Sequence, residues 1–194
     1  DKVPLSRRSK IASAKNMLEE TYQNLLSERS DIMSEEFDYM AYTVPTNKIT
    51  LITNPIHIMS KEPYIWYQIN ELMQNAKERV IIQTPYVVLN KTMENDLSKL
   101  KGKLKQFDIL INSVEVGDNY MASSDYLFNK QDVLDTGATI YEFAGEHSMH
   151  DKSVLIDDDI SIIGSYNFDM RSVYLDTETM LVAVSYTHLR AHET

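Results

Sequence analysis

The spacing of hydrophobic and polar positions changes along the chain and predicts two parts of different character. Over residues 7–30, apolar side chains recur three, four or seven positions apart, which predicts an amphipathic helix that packs against other parts of the protein. Residues 31–46 are acidic and aromatic without a clear period. We therefore expect residues 1–46 to form a helical connector.

From Ile49 onward, short apolar runs alternate with amphipathic stretches, and turn residues separate them. The predicted strands lie at 49–52, 80–82, 109–111, 139–141, 153–156 and 160–163, and the predicted helices at 63–78, 91–101 and 124–134. Because strands and helices alternate, we expect an α/β domain whose sheet is largely buried.

Composition limits the classes of protein that the chain can belong to. The 194 residues are 43% hydrophobic and 25% charged, and no apolar run approaches the 18 residues of a membrane-spanning helix, so we expect a soluble globular chain. The absence of cysteine excludes disulfides, thiolate zinc sites and a cysteine nucleophile. The 19 basic and 29 acidic residues give a net charge of −10, which disfavours non-specific binding to nucleic acid.

The side chains best suited to catalysis lie between His150 and Asn167. His150 and Lys152 are two positions apart at the start of a predicted strand, so their side chains point to the same side. Ser165 and Asn167 follow the next predicted strand. An imidazole, an ammonium, a hydroxyl and an amide suit a phosphoryl group, because the imidazole can attack phosphorus or move a proton while the others stabilise negative charge.

The joint spacing resembles the motif of the phospholipase D superfamily, which is His-x-Lys-x4-Asp-x6-Gly-Ser/Thr-x-Asn. The matching residues are His150, Lys152, Asp157, Gly164, Ser165 and Asn167. The stretch 167–178 resembles the cardiolipin synthase branch, apart from Asp176, where that branch usually has Asn. Thr84-Pro85-Tyr86 and residues 137–141 also resemble that branch.

The resemblance implies a phospholipase D-like α-β-α layered sandwich over residues 47–184, as one lobe of a normally two-lobed enzyme. Two motifs would meet at one site, where one histidine forms a phosphohistidine and the other acts as general acid and base. No cofactor or metal is implied. His150 would be the acid and base, and Glu178 would hydrogen-bond to it and fix its tautomer.

The resemblance also implies the roles of the remaining motif residues. Lys152, Ser165 and Asn167 would hold the phosphate oxygens. Asp157, Gly164 and Arg171 would support the fold. Asp157 and Arg171 would do so through ion pairs.

The chain carries only one such motif, so it supplies half of a site. Either a first lobe is missing, or a second copy completes the site. The first residue, Asp1, and the connector favour a fragment. Residues 185–194 resemble translated adapter sequence, so we expect a non-native tail in which His188 and His192 have no metal-binding role.

Three functional hypotheses follow. The first is a bacterial phospholipid enzyme that makes cardiolipin or hydrolyses phospholipid, with the intact protein associated with the membrane. The second is a homodimeric, metal-independent phosphodiesterase or nuclease, which the acidic charge disfavours. The third is a catalytically inert isolated lobe.

Overall fold

The computed structural model divides the chain into two units, Asp1–Val44 and Pro45–Thr194. The described residues are 4–31, 38–43 and 45–185. The expected non-native tail therefore lies outside the described residues, except for Ser185.

In the first unit, one long helix covers most of the predicted helical residues 7–30. This helix, α1, spans Leu5–Glu28, and a short 3₁₀ helix follows at Tyr39–Tyr42. Its apolar positions Ile11, Leu18 and Leu25 are 52, 66 and 42% exposed. The helix prediction is confirmed, but the packing contact expected for its apolar side is not seen among the described residues of this unit.

The second unit is built on a mixed sheet of seven strands. The strands are β1 (Lys48–Thr53), β2 (Arg79–Gln83), β4 (Gln106–Asn112), β5 (Thr139–Phe143), β6 (Ser153–Ile156), β7 (Ile160–Gly164) and β9 (Thr179–Val184), while β3 (Val87–Val88) and β8 (Phe168–Asp169) form a separate pair. The sheet order is β1-β9-β7-β6-β2-β4-β5. β2, β4 and β5 are parallel to one another, and the other neighbours in the sheet are antiparallel.

Four helices accompany the sheet: α2 (Tyr64–Gln74), α3 (Lys91–Ser98), α4 (Tyr120–Asp135) and α5 (Met170–Tyr174). α4 begins earlier than the predicted start at residue 124, because the Asn119 side chain accepts a hydrogen bond from the Ala122 N–H and caps the helix. β3, β8, β9 and α5 were not predicted from hydrophobic spacing. The two-residue strands and the short helix are too brief for a period to be recognised.

One face of the sheet shares a continuous core with the helices. Alternate strand residues such as Val80, Ile82 and Ile109 are at most 1% exposed and belong to the same core as Trp66 of α2. The Trp66 ring packs edge-on against Phe168, with ring centroids 6.0 Å apart. The alternating α/β prediction is confirmed, and the site residues lie at one end of this packed sheet.

The opposite face of the sheet is much more open. Ile49 and Leu51 of β1 are each 60% exposed, and Ile163 of β7 and Leu181 of β9 are 56 and 43% exposed. The strand register pairs Leu51 with Leu181 and Leu181 with Ile163, which places these side chains together. This group of Ile49, Leu51, Ile163 and Leu181 is called the open sheet face below.

Candidate active site

His150 and Lys152 lie together where the chain enters β6. Lys152 Nζ lies 3.1 Å from His150 Nδ1 and 3.3 Å from Nε2, and it donates to the His150 carbonyl oxygen at 2.8 Å. The lysine is only 8% exposed, whereas the histidine is exposed. The structure therefore brings an ammonium group directly against an accessible imidazole, although neither residue is itself in a strand because β6 begins at Ser153.

Burial changes the acid–base behaviour of Lys152. Desolvation lowers the pKa of its ammonium group, because a charged amine loses solvation in the protein. The nearby carboxylates of Glu178 and Asp151 oppose this shift by stabilising the charge. The site therefore holds a positive charge that water screens poorly, which strengthens its interaction with an anion.

Glu178 is buried beside this pair, but its hydrogen-bond partners differ from the expectation. One carboxylate oxygen accepts a hydrogen bond from Ser172 Oγ at 2.8 Å, and the other accepts from Ser165 Oγ. Among the described residues no hydrogen bond joins Glu178 to His150, so that expected contact is wrong for this structure. The carboxylate oxygens instead accept from serine hydroxyls at the end of β7 and in α5.

Ser172 links Glu178 to Asn167. The Ser172 hydroxyl donates to Glu178 and accepts from the Asn167 backbone N–H at 3.2 Å and from Asn167 Nδ2 at 3.5 Å. Asn167 Oδ1 is buried without a hydrogen-bond partner among the described groups. The Asn167 amide nitrogen carries two N–H groups, and the contact with Ser172 uses one of them.

Ser165 lies at the expected place, at the end of β7. Its hydroxyl donates to Glu178 and accepts from the Thr179 backbone N–H at 3.1 Å. A hydroxyl has one proton to donate, so in this arrangement that proton serves Glu178. The phosphate-binding role of Ser165 stays a prediction.

Asp157 supports the fold through the backbone rather than through the expected ion pair. Its carboxylate accepts from the backbone N–H groups of Lys77, Glu78 and Arg79, at 2.8 to 3.2 Å. Burial acts to raise the pKa of Asp157, but these hydrogen bonds outweigh burial and the pKa is lowered. The residue thus ties the turn between β6 and β7 to the start of β2.

Gly164 and Arg171 also have supporting positions. A Cβ atom added at Gly164 would lie 2.1 Å from the Thr179 carbonyl oxygen, so only glycine lets β7 approach β9 this closely. Arg171 is exposed and forms an ion pair with Asp176 at 3.3 Å. At Asp176, the departure from the cardiolipin synthase pattern therefore supplies a carboxylate to this arginine.

A cleft of about 380 Å³ opens beside His150. Its other lining residues come from the segment between β2 and β3, from the segment after β4 and from the start of α4: Tyr86, Asp118, Asn119, Tyr120 and Met121. Hydrophobic spacing alone did not indicate the α4 residues, because they reach the site only through the tertiary fold. Burial raises the pKa of the Tyr86 phenol, and the charge of Asp169 adds to this effect.

A second groove of about 520 Å³ shares Tyr86, Asn119 and Met121 with the cleft. It is also lined by Val88, Ala122 and Met170, with Asp125, Asp169 and Arg171 among its polar residues. The candidate site is thus one end of a longer, mostly apolar trough.

The described residues contain neither a metal-binding cluster nor a helix able to span a membrane. Within 4–31, 38–43 and 45–185, no group of three or more His, Asp or Glu side chains is arranged to hold a metal ion. None of the described helices combines the length and the apolar character needed to cross a bilayer.

Comparison with protein families and sequences gives a consistent picture. Residues 69–192 match the family described as cardiolipin synthase, PLD-like domain. Cardiolipin synthase A of Yersinia pseudotuberculosis is 33% identical over 109 residues, covering 55% of this chain and 21% of that protein. An uncharacterized protein of Helicobacter pylori is 28% identical over 123 residues, covering 57% and 24%. The chain thus spans less than a quarter of the length of these curated relatives.

Solved structures show the same fold. Nuc of Salmonella typhimurium, a phospholipase D family member, matches with a TM-score of 0.55 and 16% identity over 71% of this chain and 83% of Nuc. Phosphatidylserine synthase of Haemophilus influenzae matches with a TM-score of 0.56 and 18% identity over 71% of this chain and 34% of that chain. The expected phospholipase D-like α/β fold is confirmed.

Proposed function

Because this chain belongs to the family described as cardiolipin synthase, PLD-like domain, we propose that it provides one half of a phosphodiester-cleaving or phosphatidyl-transferring site that acts on phospholipid. Members of the phospholipase D superfamily are phosphodiesterases and transferases. The observation that supports the proposal most directly is the Lys152 ammonium group 3.1 Å from His150 Nδ1, beside the 380 Å³ cleft.

In the proposed reaction, a histidine nitrogen attacks phosphorus as the bond from phosphorus to the leaving alcohol oxygen breaks. A second histidine gives that oxygen a proton, and the product is a phosphohistidine. The second histidine then takes a proton from water or from an acceptor alcohol, whose oxygen attacks phosphorus and releases the first histidine. We assign the acid and base role to His150.

Lys152 and Asn167 have the groups that this reaction needs around phosphorus. The Lys152 ammonium offsets negative charge that accumulates on the phosphate oxygens in the transition state, and its burial strengthens that effect. Glu178 lies close enough to influence the charge of Lys152, so its proposed contribution is electrostatic rather than a bond to His150. The nucleophilic histidine comes from a second motif, supplied by a further lobe or by a second copy.

The test is made with the second motif present, supplied as a further lobe or as a second copy, and compares His150→Ala with His147→Ala. His147 is an exposed histidine three positions upstream that lines neither cleft nor groove. Loss of the acid and base should lower turnover of phosphatidylglycerol by on the order of 10²- to 10⁴-fold, whereas His147→Ala keeps the original rate. Mass spectrometry of the products with glycerol present distinguishes transfer from hydrolysis. Equal activity of both variants and the unchanged chain would contradict the proposal.

A homodimeric phosphodiesterase is the second candidate, because the chain contains one His-x-Lys-x4-Asp segment. If two copies complete one site, the specific activity rises with protein concentration and follows the dimer fraction measured by light scattering. If another lobe is needed, the purified chain is an inert half and gains activity only when that lobe is added. Cleavage of DNA in preference to phospholipid would favour the nuclease form of this candidate.

A further inference from the structure

One side of α4 carries four exposed apolar residues over its first two and a half turns, with the exposed Ser124 between them. Tyr120, Met121, Leu127 and Phe128 are 81, 85, 53 and 89% exposed. Residues seven positions apart lie on the same side of a helix, so Tyr120 aligns with Leu127 and Met121 with Phe128 along about 12 Å of helix. These four residues are called the α4 apolar stripe. The buried side of the helix carries Ala122, Tyr126 and Val133 instead.

The stripe is continuous with the candidate active site. Tyr120 and Met121 line the cleft that contains His150, and Met121 also lines the adjoining apolar groove. A surface that receives the α4 apolar stripe therefore comes close to His150. Isolated exposed apolar residues are common on proteins, but a contiguous group beside a site more often marks an interaction surface.

The charges near the stripe indicate how it would bind. Lys130, the first basic residue after the stripe, is paired with Glu142 at 2.8 Å, and Asp125 lines the groove. The stripe itself has no charged side chain, and the chain has a net charge of −10. Arg171, which also lines the groove, is paired with Asp176. We therefore expect little attraction to anionic headgroups, and the main favourable contribution comes from burying apolar side chains.

We propose that the α4 apolar stripe is the surface by which this domain contacts a phospholipid bilayer. Leu127 and Phe128 enter the boundary between headgroups and acyl chains, and Tyr120 lies at headgroup level near the cleft, as aromatic residues do at membrane interfaces. The inference rests on the proposed function, because a bilayer is where a phospholipid substrate is found and the stripe adjoins the site that would act on it.

The absence of cysteine permits a direct test. Phe128→Cys carries a single thiol, which is labelled with an environment-sensitive dye, and Tyr67→Cys on α2, where the native side chain is 58% exposed, is the matched control. With phosphatidylcholine vesicles, we expect a several-fold rise in emission with a blue shift at position 128 and no change at position 67. No response at 128, or equal responses at both positions, would overturn the proposal.

A second variant separates a lipid surface from a protein surface. In Leu127→Ser/Phe128→Ser, partitioning to phosphatidylcholine vesicles should fall by about tenfold or more, the factor that one large buried apolar side chain accounts for. Adding phosphatidylglycerol should not strengthen binding of the unchanged chain. If the variant instead alters the molecular mass in sedimentation and leaves vesicle binding intact, the stripe is a contact between protein chains and the proposal fails.

The proposed function is tested apart from vesicles with a soluble phosphodiester, bis(4-nitrophenyl) phosphate. Turnover of this compound by the unmodified chain, without a dye response at position 128, would retain the enzymatic proposal and reject the bilayer surface. A dye response at 128 without turnover of any phosphodiester, even after a second lobe is supplied, would retain the bilayer surface and reject the enzymatic proposal.

Discussion

At the scale of single residues, the candidate site depends on how two buried charges are satisfied. Glu178 is held by two serine hydroxyls, and Lys152 by the carbonyl oxygen and ring of His150. A buried carboxylate without hydrogen-bond donors is costly, and the two serine hydroxyls supply such donors to Glu178. The geometry of the site is thus set by contacts that surround His150 as well as by His150 itself.

The lowered pKa of Lys152 gives a prediction that does not require activity. Desolvation should place the midpoint of its Cε chemical shift titration below the usual 10.5. Lys91 is the control, since hydrogen bonds to Glu94 and Asp132 raise its pKa to about 12. Between the folded and the unfolded pKa of Lys152, the unfolded chain binds more protons than the folded chain. In that pH range, Lys152 therefore makes the free energy of unfolding rise with pH. A Lys152 midpoint at or above 10.5 would refute this account.

At the scale of elements, two motif residues act by holding strands together. Asp157 fixes the β6–β7 turn to the first residues of β2, and Gly164 allows the end of β7 to approach β9. Ser165 directly follows β7, and Glu178 directly precedes β9. The pairing of these two strands therefore brings the Ser165 hydroxyl to the Glu178 carboxylate. These supporting residues therefore determine the geometry of the site without contacting a substrate.

Gly164→Ala should lower the free energy of unfolding by about 1–3 kcal/mol or more, because the new methyl group overlaps the Thr179 carbonyl oxygen and forces the strands apart. Gly102→Ala is the comparison, since an added Cβ there meets nothing within 4 Å. Its only cost is the backbone strain of a side chain at a φ of +72°. Urea unfolding followed by circular dichroism measures both. A smaller loss at Gly164 than at Gly102 would count against the overlap.

Asp157→Asn should cost about 1–3 kcal/mol at pH 7, because a neutral amide is a poorer acceptor for three backbone N–H groups. The lowered pKa means that the carboxylate contributes its stability above the unfolded value near 3.8 and loses it as pH falls through the lower, folded value. The variant should therefore show a weaker acid dependence in urea unfolding. Asp159→Asn, at an exposed position of the same turn, should behave like the unchanged chain.

At the scale of the whole molecule, the second unit carries two exposed apolar surfaces of different kinds. The α4 apolar stripe borders the site, whereas the open sheet face is made of strand residues on the side away from the shared core. Contiguous apolar surface favours association in water. The two surfaces are separable by mutation, because they lie on different elements.

We expect the purified chain to associate through the open sheet face as its concentration rises. Leu51→Thr/Ile163→Thr places β-branched residues suited to strands at both positions and removes part of the apolar surface, so sedimentation should show less associated material. Ile58→Thr is the control, because Ile58 is 91% exposed but lies outside the sheet. Identical sedimentation of the double variant and the control would argue against this face.

The local chemistry and most of the elements follow from neighbours in the chain. The motif spacing predicted that His150 and Lys152 act together, although the structure places both just before β6 rather than on it. Apolar period and length predicted the longer helices and the central strands. Those features depend on neighbours in the chain, so they can be inferred without knowing how distant segments meet.

Only the tertiary structure decided which groups complete the site. Ser172 joins Glu178 to Asn167, and Met121 of α4 reaches the cleft beside His150. The hydrogen bonds of Glu178 to Ser165 and Ser172, rather than to His150, also depend on the tertiary structure. These contacts are fixed by the pairing of β7 with β9 and by the packing of helices on the sheet, and side-chain hydrogen bonds have a short range that sequence spacing does not encode.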